Sequence, residues 1–237
     1  MLKRFLSVSV VLVGCLFANA SAAPIFVSFS TPGTSASATT TEKFNVFANS
    51  SNGAVFPLDV VLPLNDENGD STGIAITKPD GVVYGGGNGT PTVGGAAAAV
   101  GITNFAGQTF HWLQGSNNPR TYTFTGLDPA STYDFSIFGS RNGTGPRDTE
   151  YTLDNGTSSY TGTQDVMGNV GDLQLFSGIA PSSTNTIDLT FEFVNGSVDY
   201  GYINALRIDV NPVPEPTSLI LFGLGSVCLL VGRKRRN

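Results

Sequence analysis

The apolar residues in the central part of the chain recur at every second position. Ile187-Asp188-Leu189-Thr190-Phe191-Glu192-Phe193 alternates without a break, which is the period of a strand with one buried face. Tyr122 and Phe124 alternate with threonines, Tyr133, Phe135 and Ile137 with Asp134 and Ser136, and Leu206, Ile208 and Val210 with Arg207 and Asp209. Asn204 shares the parity of Leu206 and Ile208 and is expected to be a buried amide that satisfies backbone groups. Shorter segments at 25–29, 44–47, 55–62, 74–77, 109–113, 150–153 and 172–176 predict further strands. Asn-Gly or Asp-Gly pairs begin at Asn52, Asn68, Asp80, Asn88, Asn142, Asn155 and Asn195. Such pairs tolerate positive φ and suit tight turns. Between residues 24 and 211 no apolar 3.6-residue pattern persists for ten residues. Many short strands without a helical layer predict an all-β fold of two packed antiparallel sheets. Gly85-Gly86-Gly87-Asn88-Gly89 reads as a flexible loop, and Ala96 to Ala99 as a small-residue strand. Neither stretch carries the Lys-Ser/Thr of a phosphate loop.

Charge changes the picture next. Of the 237 residues only 13% are charged, against roughly 25% in an average soluble domain. Residues 24–211 hold six basic side chains (Lys43, Lys78, Arg120, Arg141, Arg147 and Arg207) against 17 acidic ones, a net charge of −11. Such a surface disfavours nucleic acid and anionic membranes and attracts cations such as Ca²⁺. The two cysteines, Cys15 and Cys228, both lie outside this segment. The central body therefore has no disulfide, no thiol nucleophile and no cysteine metal site.

The two ends are apolar in a different way. Lys3 and Arg4 precede an uncharged run over residues 5–18, and Ala20-Ser21-Ala22 precedes Pro24. That is the anatomy of a secretory signal peptide, read by the Sec translocon and signal peptidase. Leu12-Val13-Gly14-Cys15 also resembles a lipobox, in which Cys15 would be acylated. The apolar run continues past Cys15 to an ordinary cleavage site, which favours the first reading. At the other end, residues 219–232 are uncharged and are followed by Arg233, Lys234, Arg235 and Arg236. As a helix this run covers about 21 Å, short of a hydrocarbon core of ~30 Å, and arginine snorkelling closes part of the gap. The positive-inside rule leaves the basic tail in the cytoplasm and the body across the membrane. The signal peptide demands the same orientation.

Pro214-Glu215-Pro216, an apolar segment and the basic cluster 233–236 occur in that order, and together they resemble the PEP-CTERM sorting signal. The resemblance implies an exported bacterial protein, typically of exopolysaccharide-making Gram-negative species. It implies an exosortase partner that processes the chain near Pro-Glu-Pro, and residence in the inner membrane until then. Three segments follow: 1–23 a signal peptide, 24–211 a β-sandwich, and 212–237 the sorting signal with its transmembrane helix.

In the body, Leu127-Asp128-Pro129 followed by Tyr133 resembles the tyrosine corner of sandwich domains. The stretch through Tyr133-Asp134-Phe135 and Phe138-Gly139-Ser140-Arg141, ending in Tyr202-Ile203-Asn204-Ala205-Leu206-Arg207-Ile208, resembles galactose-binding-like jelly-roll domains of bacterial surface proteins.

Candidate chemistry is sparse. Gly69-Asp70-Ser71-Thr72-Gly73 fits the G-x-S-x-G pattern, and its Gly-Asp-Ser resembles SGNH esterases. A nucleophile elbow needs a buried strand before the serine and a helix after it, whereas a polar turn precedes Ser71. The only histidine, His111, lacks partners at metal-ligand spacing. Asp66, Asn68 and Asp70 copy the start of a Ca²⁺ loop, but Ser71 stands where Gly is needed and Thr77 where the bidentate Glu belongs. Trp112 fits either a sugar-stacking platform or the commoner role of a lone Trp in a sandwich, the core. Arg141 and Arg147 flank a loop at a strand end, where binding groups concentrate. They are read either as ligand-holding guanidinium groups or as ion-pair partners of Asp148 or Glu150. The sequence as a whole points to an exported, non-catalytic β-sandwich of the envelope or extracellular matrix. Its expected role is structural or adhesive, or the low-affinity binding of extracellular polysaccharide. The alternative is a secreted esterase or glycan-active enzyme.

Overall fold

A computed structural model describes residues 22–30, 43–48, 61–77, 83–89, 92–115, 119–194 and 199–213. The signal segment, Cys15, the first half of the 55–62 strand, Pro214-Glu215-Pro216 and the basic tail lie outside the described residues.

The described chain is all-β, with two short helices. One sheet runs in the order β11 (Gln174–Ile179), β8 (Ser131–Phe138), β14 (Ala205–Pro212), β1 (Ile25–Ser30), β2 (Phe44–Ala48). A second runs β10 (Ser159–Asp165), β9 (Asp148–Asp154), β12 (Ile187–Phe193), β7 (Arg120–Thr125), β4 (Ser71–Thr77), β3 (Val61–Asn65). A third, small sheet joins β13 (Tyr200–Ile203), β6 (Thr109–Gln114) and β5 (Tyr84–Gly87). The expectation of two antiparallel sheets is therefore corrected twice. Among the described residues the strands fall into three sheets, and β1 pairs with β2 in parallel. The connection over residues 31–43 has the dozen or so residues that a parallel crossover needs.

Alternation becomes layering as expected. Ile187, Leu189 and Phe191 of β12 are fully buried, as are Tyr122 and Phe124 of β7 and Ile137, Leu206 and Ile208 of the facing sheet. Each large apolar side chain withdrawn from water contributes roughly 1.5–3 kcal/mol, so a register slip that exposed this set would be prohibitive.

Two small-residue segments depart from expectation. Residues 95–99 form a short helix, α1 (Gly95–Ala99), because alanine has the best helix propensity and no branch to favour a strand. Ala97 of this helix, with Ile102, Ala106, Phe138 and Ala205, fills a second apolar cluster. A further turn of helix, α2 (Asn104–Gly107), leads into β6. The glycines 85–87, expected to be loop, lie in β5.

The tyrosine corner is present. The Tyr133 hydroxyl accepts the Asp128 N–H at 2.7 Å. Gly126, at φ 73°, makes the turn before it, where a Cβ would sit 2.3 Å from the Gly73 carbonyl oxygen. Tyr133→Phe is expected to lower stability by about 1–2 kcal/mol, the cost of an orphaned N–H partly relieved by water, since Asp128 is exposed. Urea unfolding checks this, and an unchanged midpoint would show the corner to be dispensable.

Candidate binding face on the small sheet

The three-stranded sheet has two apolar faces. In its register Tyr84 and Tyr202 flank Trp112, Gly86 pairs with Phe110, and Gly85 and Ile203 flank His111. With side chains alternating across a strand, His111, Leu113 and Ile203 turn into the main core. Phe110, Trp112, Tyr84, Tyr200 and Tyr202 line the opposite face. Trp112 stacks on Tyr84, with centroids 4.6 Å apart and planes 28° apart, and meets Tyr200 edge-on at 5.5 Å. Phe110 meets Tyr202 at 5.1 Å and 86°. Phe110 and Tyr202 are buried, whereas Trp112, Tyr84 and Tyr200 remain partly exposed. A Cβ at Gly86 would lie 2.3 Å from the Phe110 ring. The glycine run is therefore a strand whose missing side chains make room for aromatic ones.

The β8–β9 connection brings both arginines over this face. The Arg141 N–H donates to the Val166 carbonyl at 2.7 Å, and its own carbonyl accepts the Gly168 N–H at 2.9 Å. Its guanidinium lies 5.2 Å over the Phe110 ring and donates to the Gly87 carbonyl at 3.3 Å. The Arg147 guanidinium lies 5.1 Å over Tyr200 and 5.4 Å over Tyr202, and its Nη1 donates to the Tyr202 hydroxyl. Burial raises the pKa of Tyr202, and the charges of Arg147 and Arg141 oppose that rise without cancelling it. One phenol thus sits beside two cations.

The ion-pair reading of these arginines is corrected. Neither makes an ion pair among the described residues, where the salt bridges are Lys43–Glu67 at 3.8 Å and Arg207–Asp209 at 2.6 Å. Asp165 directs its Oδ1 to the backbone N–H groups of Met167, at 3.0 Å, and Arg147, at 3.5 Å. Cation–π contact with the rings, worth about 0.5–2 kcal/mol each, and one hydrogen bond from each Nη1 hold the guanidinium groups in place of carboxylates.

A buried amide network fixes the loop that carries them. Asn204 donates to the carbonyls of Thr109 at 2.9 Å and Gly107 at 3.2 Å, and accepts the Ser140 N–H at 2.6 Å. Asn88 donates to Gly107 O and Ser140 Oγ, both at 3.1 Å, and accepts the Asn142 N–H. Ser140 Oγ donates to the Asn169 carbonyl at 2.7 Å. Arg141 is thereby held between two residues whose main chains are bonded to buried amides.

The other candidates lie elsewhere. Asp66 Oδ1 accepts the N–H groups of Asn68 at 2.8 Å and Asp70 at 3.0 Å, so the Asp66–Asn68–Asp70 spacing serves the β3–β4 turn. Among the described residues no three His, Cys, Asp or Glu side chains gather as a metal-holding group. Ser71 opens strand β4, exposed and without the helix a nucleophile elbow requires. His111 is fully buried, its Nδ1 2.7 Å from the Tyr122 hydroxyl. The sequence reading took Arg141 and Arg147 together as flanking one loop, kept Trp112 apart from them, and did not name Tyr84, Tyr200 or Tyr202 as site residues. The available signal was β6 itself: Phe110 and Trp112 occupy one parity and His111 and Leu113 the other, so both faces of that strand had to be covered.

Comparison with known proteins adds the following. Residues 212–236 match the PEP-CTERM protein-sorting motif. The chain therefore carries an exosortase sorting signal, which implies export, a C-terminal membrane anchor before processing, and exosortase as the processing partner. No helix among the described residues is long and apolar enough to cross a membrane. No curated protein sequence matches the chain. Among solved structures it is similar to TmCBM61, determined in complex with β-1,4-galactotriose, at 12% identity and a TM-score of 0.34, covering 60% of this chain and 91% of the other. A likeness of that size says nothing about what this chain binds.

Proposed function

We propose that the exported body is a non-catalytic carbohydrate-binding β-sandwich of the jelly-roll, galactose-binding-like kind, retained at the cell envelope or in the extracellular matrix. Residues 1–23 would be removed by signal peptidase after Sec-dependent export, 24–211 would form the sandwich, and 212–237 would hold the inner membrane until exosortase acts near Pro214-Glu215-Pro216. The observation that carries the binding role is the Trp112–Tyr84 stack, partly exposed on a sheet face with Arg141 and Arg147 on its rings. Sugars present flat C–H faces that suit an aromatic platform. Their hydroxyls accept from nearby guanidinium groups.

The test is binding of detergent-solubilised full chain to immobilised polysaccharides, with and without Ca²⁺. Trp112→Ala is expected to weaken the best ligand by about tenfold, or about 1.4 kcal/mol, and Trp112→Phe by less. Failure to bind any polysaccharide, or binding indifferent to Trp112→Ala, would overturn the proposal.

A further inference from the structure

We propose that the Arg141–Arg147 pair makes this face selective for carboxylate-bearing sugars, a class exemplified by uronic acids; the inference rests on the carbohydrate-binding reading. Two of the six basic residues of a body with net charge −11 stand on one small sheet. Neither forms an ion pair among the described residues. An arginine placed only for structure in so acidic a protein would find a carboxylate at little cost. Here the nearby carboxylate of Asp165 is directed to backbone N–H groups instead.

The geometry fits an anion with a flat, partly apolar body. Both guanidinium groups lie over rings, Arg141 at 5.2 Å from the Phe110 centroid and Arg147 at 5.1 Å from that of Tyr200. Of the in-plane donors that grip a carboxylate in a fork, Nη1 is engaged on each arginine, by the Gly87 carbonyl on Arg141 and the Tyr202 hydroxyl on Arg147, and Nη2 makes no hydrogen bond among the described residues. Arg147 is itself partly exposed, within reach of a ligand. Trp112 and Tyr200, in contact at 5.5 Å, lie beside it to receive the sugar ring. The backbone on either side of Arg141 is held by Asn204 and Asn88, so little ordering remains to be done when a ligand binds. The acidic remainder of the surface does not cancel the attraction. At physiological ionic strength charges are screened over about 8 Å, and the pair acts locally.

The experiment compares polygalacturonate with the same polymer fully methyl-esterified, using detergent-solubilised full chain. The acid form is expected to bind at least about tenfold more tightly in 0.05 M salt, and the ratio to fall towards one in 0.5 M salt. In Arg141→Gln and Arg147→Gln the ratio should drop to about threefold or less, and Arg147→Lys should fall between, having charge without the fork. Tryptophan fluorescence of each variant reports whether the face is intact, and the salt series on the unaltered chain tests the idea without any variant. Equal affinity for the two polymers, or a preference untouched by salt, overturns the inference while leaving carbohydrate binding intact. Binding of neutral glycans with rejection of the acid polymer overturns it as well. Failure to bind any glycan removes both readings together.

Discussion

Replacing Asn204 by leucine is expected to cost about 3–5 kcal/mol of stability. Leucine keeps the volume and removes every polar partnership of the side chain. The Ser140 N–H and the carbonyls of Gly107 and Thr109 would each lose a bond that Asn204 now makes. Asn204 and Thr109 are buried to 1% exposure or less and Ser140 to 2%, so water cannot readily take its place. Each orphaned group costs about 1–3 kcal/mol, and the sum is kept below the maximum because the carbonyls have second lone pairs to share. Asn204→Asp is expected to be no better, since it turns a carboxylate oxygen towards two carbonyls. Asn155→Ala, in an exposed turn where the side chain accepts the N–H groups of Thr157 and Ser158, should cost about 1 kcal/mol. Urea unfolding of the three variants provides the check. A loss below about 1 kcal/mol for Asn204→Leu would mean that the carbonyls and the Ser140 N–H find other partners.

The position of Asn204 explains why its effect should reach the site. It interrupts the path from β13 to β14, at the point where the chain leaves the small sheet and enters the first large one. Its backbone bonds to both neighbours of β14 in that sheet, N–H to the Phe138 carbonyl and C=O to the Phe29 N–H, each at 2.9 Å. Its side chain holds the residue before Arg141. A single amide therefore joins the large sheet, the small sheet and the arginine loop.

How far this was legible depends on what faces each strand. β12, β7 and β14 bury one face and announced themselves by alternation. β10, Ser159–Asp165, is an edge strand, mostly exposed, whose one large apolar residue, Tyr160, also faces solvent. Its ladder to β9 is carried by main-chain bonds, which leave no hydrophobic pattern. β5 was hidden for the opposite reason, because its glycines exist to admit the Phe110 ring from a neighbouring strand. Asn204 was recognisable as a buried amide from its parity alone, but its partners were not, since they come from residues 107, 109 and 140. The aromatic face of the small sheet is tertiary in the same sense. Trp112 and Arg141 stood out singly as residue types, while their meeting with Tyr84, Tyr200 and Tyr202 depends on a third sheet that period-two patterns do not predict.

The second large effect concerns His111 and acid. The imidazole lies among Phe29, Phe47 and Tyr122, with ring centroids 5.3, 5.9 and 6.3 Å away. Nε2 is 3.2 Å from the Ser30 carbonyl, which can only accept, so Nε2 carries the proton and Nδ1 accepts from the Tyr122 hydroxyl. That hydroxyl stays protonated, because burial raises its pKa well above 10. Burial lowers the pKa of His111 from 6.5 to about 4, and the backbone of Ser30 and Phe47 pulls upward without offsetting it. Below pH 6.5 the unfolded chain takes up a proton that the folded chain refuses until about pH 4. The unfolded state binds more protons throughout that window, so stability falls as pH falls, by about 3 kcal/mol in total, and this contribution levels off below pH 4. Carboxylates titrate over part of the same range, so the measurement is a difference. Urea unfolding of His111→Gln, whose amide can donate to Ser30 and accept from Tyr122, should show a loss between pH 6.5 and 4 smaller by that amount. Parallel stability curves for the two proteins would mean that the folded state admits the proton as easily as the unfolded one, and that the aromatic cage does not keep the imidazole neutral.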